Sequence, residues 1–354
     1  MKQKDKKLIV KAGQRLTNLD IGEVDSFDDI QRDVLYKGKR AEHKSSKSYK
    51  DGMALRQGRI VEIRSNYQCQ VDSGGTIHTC NISGRLKQFM FRSKMIAAVG
   101  DWVEVDASHE PDMRIEHILP HRNALLRYSE TSYQKQIIVA ANLDNLVITV
   151  SWKLPMLKTG LIDRYLCLAA LDGISPVICL NKMDLCEDRQ QAESAMHYYT
   201  QLAIPVVYTS CVTGEGIASL KSLLQDKVTV FSGQSGTGKS SIINGLEPGL
   251  NLLTDTVSNY NEKGKHTTTV ARMLPWSFGG HLIDTPGLKT VNLSREDKDI
   301  LGELFPGFAI YHARCYYRSC THTHETDCAI KDAVQANLIP SERYQSYLRL
   351  RESL

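Results

Sequence analysis

Between Gln57 and Ile118 short apolar runs alternate with polar positions and turn residues, the pattern of half-buried strands. Five runs read as strands, at 58–63, 69–72, 76–80, 101–105 and 114–118, punctuated by Gly74-Gly75, Gly100 and Pro111-Asp112. Five strands in so short a stretch predict a small barrel, and an OB-fold is the commonest such module. From about Ile137 the pattern changes. Strands are predicted at 146–150, 176–180, 205–208 and 227–231, and helices at 162–171, 187–202 and 217–224. That alternation predicts a mostly parallel α/β sheet. The rhythm breaks near Phe305, where cysteines cluster, and a polar helical stretch from Ser341 to Glu352 closes the chain.

A length of 354 residues suggests two or three domains. The expected organisation is a basic tail at 1–52, an OB-fold domain at 53–120, an α/β domain at 121–290 and a metal-binding segment with helices at 291–354. No apolar run reaches the length of a spanning helix, and the N-terminus lacks the apolar core of a signal peptide. A cytoplasmic protein without membrane contact is therefore expected, with a monomer as the default.

Charge is uneven. The net charge is +4, and residues 1–50 carry thirteen Lys or Arg against eight Asp or Glu. Such an arm is too poor in apolar residues to fold alone and suits a polyanion, though it serves equally as a solubilising tail. Arg85 to Lys94 interleaves four cations with Phe89 and Phe91, a mixture suited to phosphate contact and base stacking, or to an amphipathic connection packed on the barrel. The nine cysteines cannot all pair. Cys69, Cys80, Cys167, Cys179 and Cys211 sit in or beside apolar stretches and are expected as reduced core residues.

The chemistry lies where predicted strands end, as ligand sites do in open α/β sheets. Gly233-Gln234-Ser235-Gly236-Thr237-Gly238-Lys239-Ser240 matches G-x-x-x-x-G-K-[ST] between a strand and a helix. Its backbone N–H groups would cradle phosphates, Lys239 would reach the β- and γ-phosphates, and the Ser240 hydroxyl would hold Mg²⁺. Asn181-Lys182-Met183-Asp184 supplies a carboxylate that can accept both N–H donors on guanine's Watson–Crick edge. Ser210-Cys211 resembles the small-residue loop that contacts the guanine oxygen through a backbone N–H. Asp284-Thr285-Pro286-Gly287 looks like a D-x-x-G loop, with Asp284 near Mg²⁺ and the Gly287 N–H at the γ-phosphate. Upstream, Thr268, with Thr267 close behind, is the candidate switch ligand to Mg²⁺. Position 288 is Leu, which cannot orient water, so His266 is the catalytic candidate; a solvated or partner-contacting histidine is the alternative.

Chain order decides the architecture. The guanine-reading motif precedes the phosphate loop, the reverse of ordinary GTPases, so a circularly permuted GTPase domain is expected. Cys315, Cys320, His322 and Cys328 supply three thiols and an imidazole within fourteen residues, enough for one closed structural Zn²⁺ site, with His324 a competing ligand.

Together these features resemble the RsgA (YjeQ) family of ribosome small-subunit-dependent GTPases. The resemblance covers nearly everything from Gln57 onward. It implies binding to the small ribosomal subunit, rRNA contact through the barrel and zinc domains, hydrolysis of GTP to GDP and phosphate, and release afterwards. Carried onto this sequence, phosphate contacts extend from Gly233 to Ser241. Lys265 stands where the family would carry arginine or glutamine. An RNA-binding scaffold without turnover and an ATP-using kinase are the competing readings; the second is disfavoured by Asn181–Asp184.

Overall fold

The structure, a computed structural model, describes residues 53–64, 68–84, 86, 97–128, 136–250, 271–285 and 293–354. The basic arm, the switch residues His266, Thr267 and Thr268, and Gly287 lie outside them, as does the basic stretch 85–94 apart from Leu86. The described residues fall into two compact units, one of 53–143, 271–274 and 282–285, the other of 144–250, 275–281 and 293–354.

In the first unit, alternation becomes a barrel. Strands β1 (Leu55–Ile63), β2 (Gln68–Ser73), β3 (Thr76–Ile82), β4 (Trp102–Asp106) and β5 (Met113–Ile118) pair in the order β1-β2-β3-β5-β4, and β4 returns to β1. Every pairing is antiparallel except β3 with β5. This is a closed five-stranded, OB-like barrel. Residues two apart point inward together: Cys69 with Val71, Cys80 with Ile82, Val103 with Val105, Met113 with Ile115. Leu86 is also buried in this core.

Two features of this unit are absent from the sequence pattern. Strands β6 (Ala124–Tyr128) and β7 (Gln136–Ala141) form a separate antiparallel pair, where no strand was predicted. A strand at Arg272–Pro275 pairs with β1, and Arg272 meets Glu62 at 3.3 Å across the register Glu62↔Arg272.

The second unit carries a parallel sheet. β8 (Asn145–Ser151), β9 (Ser175–Asn181), β10 (Val206–Tyr208) and β11 (Lys227–Ser232) lie in the order β10-β9-β8-β11. All three pairings are parallel. Every residue of β8 is buried, as a strand covered on both faces requires. The crossovers are α1 (Thr159–Asp172), α2 (Arg189–Gln201) and α3 (Ile217–Leu224), and α4 (Lys239–Leu246) follows β11. Short helices α5 (Leu301–Leu304), α6 (Ala309–His312) and α7 (Ala329–Gln335) lead to the closing α8 (Ser341–Ser353).

Helix α8 is held by charge as well as apolar packing. The Arg343 guanidinium donates to Asp163 Oδ2 at 2.7 Å and to the Tyr199 hydroxyl at 2.6 Å, and also reaches Thr159. Tyr199 in turn donates to Asp163 Oδ1 at 2.7 Å. Asp163 and Tyr199 are fully buried, so this network joins α1, α2 and α8. Among the described residues no helix is long and apolar enough to cross a membrane.

Candidate functional site

The loop 233–238 leaves the end of β11 and enters α4 with Gly238 as its cap, at a φ of 93°. A Cβ at Gly238 would stand 2.3 Å from Asn181 Nδ2, so both the left-handed backbone and the close approach require glycine. The Lys239 ammonium donates to the carbonyls of Gly233 and Gln234 at 2.8 and 2.9 Å. It thus sits over the loop that its own helix begins. Thr237 Oγ1 donates to the Gln234 carbonyl at 2.9 Å, tightening the same turn. Ser240 and Ser241 occupy the first turn of α4, half-buried.

Asn181, at the end of β9, is brought against this loop although 56 residues separate it from Thr237. Its Nδ2 donates to the Thr237 carbonyl at 2.9 Å, and its Oδ1 accepts from Thr209 Oγ1 at 3.1 Å. With the side chain 2% exposed, it ties the two loops rather than facing solvent. Lys182 adopts a left-handed backbone, φ 63°, and its ammonium donates to the Leu154 carbonyl. Met183 turns its side chain into the core, and its backbone N–H donates to the Thr209 carbonyl at 3.1 Å.

Asp184 Oδ1 accepts a 2.6 Å hydrogen bond from Ser210 Oγ. The same hydroxyl accepts from the backbone N–H groups of Val212 and Thr213, so Ser210 fixes the carboxylate and the loop beside it. A cleft of about 700 Å³ opens at Asp184, with Leu154, Pro155, Met156 and Leu185 on its walls. Cys211 corrects the expectation of a core cysteine: it is exposed, because β10 ends at Tyr208 and the chain has already left the sheet. Cys69, Cys80, Cys167 and Cys179 are buried thiols.

Asp284 ends the strand Gly280–Asp284. Burial pushes its carboxyl above the usual range and Arg272 opposes this. A partly desolvated carboxylate of this kind gains from a cation.

The metal-ligating atoms of Cys315, Cys320, His322 and Cys328 all lie within 4.8 Å of one another. His322 Nδ1 is 3.6 Å from Cys315 Sγ and 3.4 Å from Cys328 Sγ. Nitrogen and sulfur sharing a tetrahedral Zn²⁺ would stand about 3.5 Å apart, given bonds of about 2.0 and 2.3 Å, so the donor set fits. Burial pushes the Cys320 thiol up to about 12, with Cys328 and Cys315 adding to it, and holds the conjugate acid of His322 down to about 4. The imidazole is therefore a neutral ligand at pH 7, whereas adjacent thiols ionise together only beside a cation. His324, the competing ligand, is exposed and bonds the Thr323 hydroxyl instead.

His322 has a left-handed backbone, φ 57°. Tyr344 donates to its carbonyl at 2.7 Å and Tyr347 to that of Thr321 at 2.8 Å. The Glu325 carboxylate accepts from the backbone N–H groups of Thr321 and Thr323. Helix α8 and the loop's own carboxylate thus hold the strained turn in place. Sequence reasoning missed Thr209, whose only signal is a polar residue at a strand end, and these clamping tyrosines, which carry no spacing signal.

Comparison with known proteins matches most of the chain to one family. The RsgA GTPase family model matches residues 118–294. A small ribosomal subunit biogenesis GTPase RsgA from Bacteroides fragilis is 36% identical over 295 residues, covering 83% of this chain and 95% of the relative. One of the same name from Caldanaerobacter subterraneus is 35% identical over 294 residues, 83% and 94% of the two chains. The crystal structure of YjeQ from Thermotoga maritima superposes with a TM-score of 0.70 at 30% identity, covering 85% of this chain and 98% of that one. The structure of YloQ, described as a circularly permuted GTPase, gives 0.65 at 26%, covering 84% and 94%.

Proposed function

The chain belongs to the RsgA GTPase family, and from that premise we propose that it binds the small ribosomal subunit and assists its late assembly, leaving once GTP is hydrolysed. It is a GTP-hydrolysing enzyme with a circularly permuted GTPase domain. The observation that supports the nucleotide site is the grip of Asn181 on Thr237, which joins the loop proposed to read guanine to the loop proposed to hold phosphate; the small-subunit role rests on the family.

In this reading Asp184 accepts the guanine N1–H and N2–H. The 233–238 backbone and Lys239 take the phosphates, with Ser241 beside them, and the backbone at Ser210 and Cys211 faces the guanine oxygen. Lys239 would exchange its loop carbonyls for phosphate oxygens, and the cleft at Asp184 gives the base an apolar wall. Ser240 and Thr268 would hold Mg²⁺, with Asp284 nearby, and the Gly287 N–H would face the γ-phosphate. Water then attacks the γ-phosphorus, the bond to the β–γ bridging oxygen breaks, and the water's protons pass to phosphate and solvent. His266 orients that water, because Leu288 offers no polar atom. The proposed division of the chain is tail 1–52, barrel 53–120, GTPase domain 121–290 and zinc segment 291–354. Barrel and zinc segment contact rRNA in the cytoplasm, and the protein acts as a monomer.

Hydrolysis measured with and without purified small subunits tests this. Stimulation is expected in the parent chain. Its loss by about 10²-fold in His266→Ala, with GTP affinity retained, is expected if that imidazole orients water. Absence of stimulation under conditions of demonstrated binding would remove the assembly role; stimulation intact in the variant would remove only His266.

Cys315, Cys320, His322 and Cys328 would hold one Zn²⁺, which crosslinks the loop between α6 and α7 and supplies no reaction chemistry, since no coordination position is left open. Cys328→Ser is expected to lose the metal and to expose 315–328 to protease. Metal analysis and limited proteolysis read both; a variant that keeps full zinc and equal resistance would disprove the ligand set.

A further inference from the structure

The imidazole of His322 turns Nδ1 toward the sulfurs and Nε2 away from them. Nε2 lies 2.8 Å from Nδ1 of His312, and His312 Nε2 lies 3.4 Å from Glu303 Oε1. The two rings meet edge to face at 76°. Gly302 makes the pair possible: a Cβ there would stand 2.5 Å from His322 Nε2 and 3.1 Å from His312 Nδ1.

We propose that His312 is a positioning residue for the metal ligand His322, accepting its Nε2–H and passing the polarity on to Glu303. The proposal rests on the zinc reading above, and the hydrogen positions follow from the geometry. Nδ1 of His322 stands among the sulfurs, so its lone pair must face the metal and the ring's hydrogen must sit on Nε2. A hydrogen on Nε2 needs an acceptor at His312 Nδ1, which places the hydrogen of that ring on Nε2, facing the carboxylate. The opposite direction, with His312 Nδ1 donating, would put a hydrogen on His322 Nδ1 between the thiolates and exclude the metal. Hydrogen bonding of this kind fixes the ring's orientation and makes the ligand more electron-rich. It would also couple α5, which carries Glu303, and α6, which ends at His312, to the metal loop.

The experiment uses the full zinc-loaded chain. Two-bond ¹H–¹⁵N correlation spectra of the parent should show hydrogen on Nε2 of both His322 and His312. Zinc transfer to a chromophoric chelator should be about 10–100-fold faster in His312→Leu, which keeps the bulk and removes the acceptor. His312→Gln, whose amide oxygen can accept the same hydrogen, should restore most of the parent's retention. A His312 ring with hydrogen on Nδ1, or equal release from parent and His312→Leu, would overturn the proposal while leaving the zinc site standing. A purified parent chain without zinc would overturn both. If His312→Leu does not fold, the parent spectrum decides.

Discussion

Asp184→Asn is expected to weaken GTP binding by about 10²–10³-fold while admitting xanthosine triphosphate. The carboxylate is proposed to accept two N–H bonds from guanine, and hydrogen bonds to a charged group contribute about 1.5–3 kcal/mol each. Losing the charge and one acceptor therefore costs about 3–4 kcal/mol, at 1.4 kcal/mol per tenfold. Xanthine carries a C2 carbonyl where guanine has its amine. An asparagine amide can donate to that carbonyl while its oxygen still accepts N1–H. The substitution leaves Ser210 Oγ an acceptor in place of Asp184 Oδ1, to which it now donates at 2.6 Å, so stability should change little. Equilibrium binding of GTP, ATP and xanthosine triphosphate to parent and variant measures this. Unchanged GTP affinity in a folded variant would show that another group reads the base.

Arg343→Met should cost about 3–5 kcal/mol of stability and lower the melting temperature by about 10 °C. The substitution leaves Asp163, fully buried, without its cation, with only hydroxyl donors around it. Removing both charges in Asp163→Leu/Arg343→Met should recover more than half of the loss, because the desolvation cost disappears with the carboxylate. Burial already pushes the Asp163 carboxyl above its ordinary value, with Arg343 opposing. Without Arg343 it rises further. The folded variant then binds a proton that the unfolded chain, with a carboxyl near 3.9, does not. Its stability deficit relative to the parent must therefore shrink as pH falls from 7 toward 4. Denaturation at pH 7 and pH 5 reads the sign. A single variant costing under about 1 kcal/mol, or a double variant no better than the single, would show that the network is not what anchors α8.

Local patterns carried much of the fold into the sequence. The barrel strands were legible because inward residues repeat every second position, as Val103 and Val105 do, and that period survives whatever the strand pairs with. The 233–240 loop was legible because its geometry is made by near neighbours in the chain. Motif order alone gave the permutation, and the spacing of Cys315 to Cys328 gave the cluster. The hairpin β6–β7 was not legible. Ala124-Leu125-Leu126 lacks alternation, and pairing such as Leu125 with Ala140 depends on register.

What only the tertiary structure decided are contacts whose partners are far apart in the chain. Asn181 meets Thr237, Arg343 meets Asp163, and the return strand at Arg272 meets Glu62. None of these pairs leaves a spacing signal, because backbone periodicity is set by neighbours within a turn or a pleat, whereas such contacts require packed elements and chosen rotamers. The direction in which the His322 ring faces belongs to the same class: the sequence names four candidate ligands, but the packing of Gly302, His312, Phe308 and Tyr347 around that ring sets which nitrogen looks at the sulfurs.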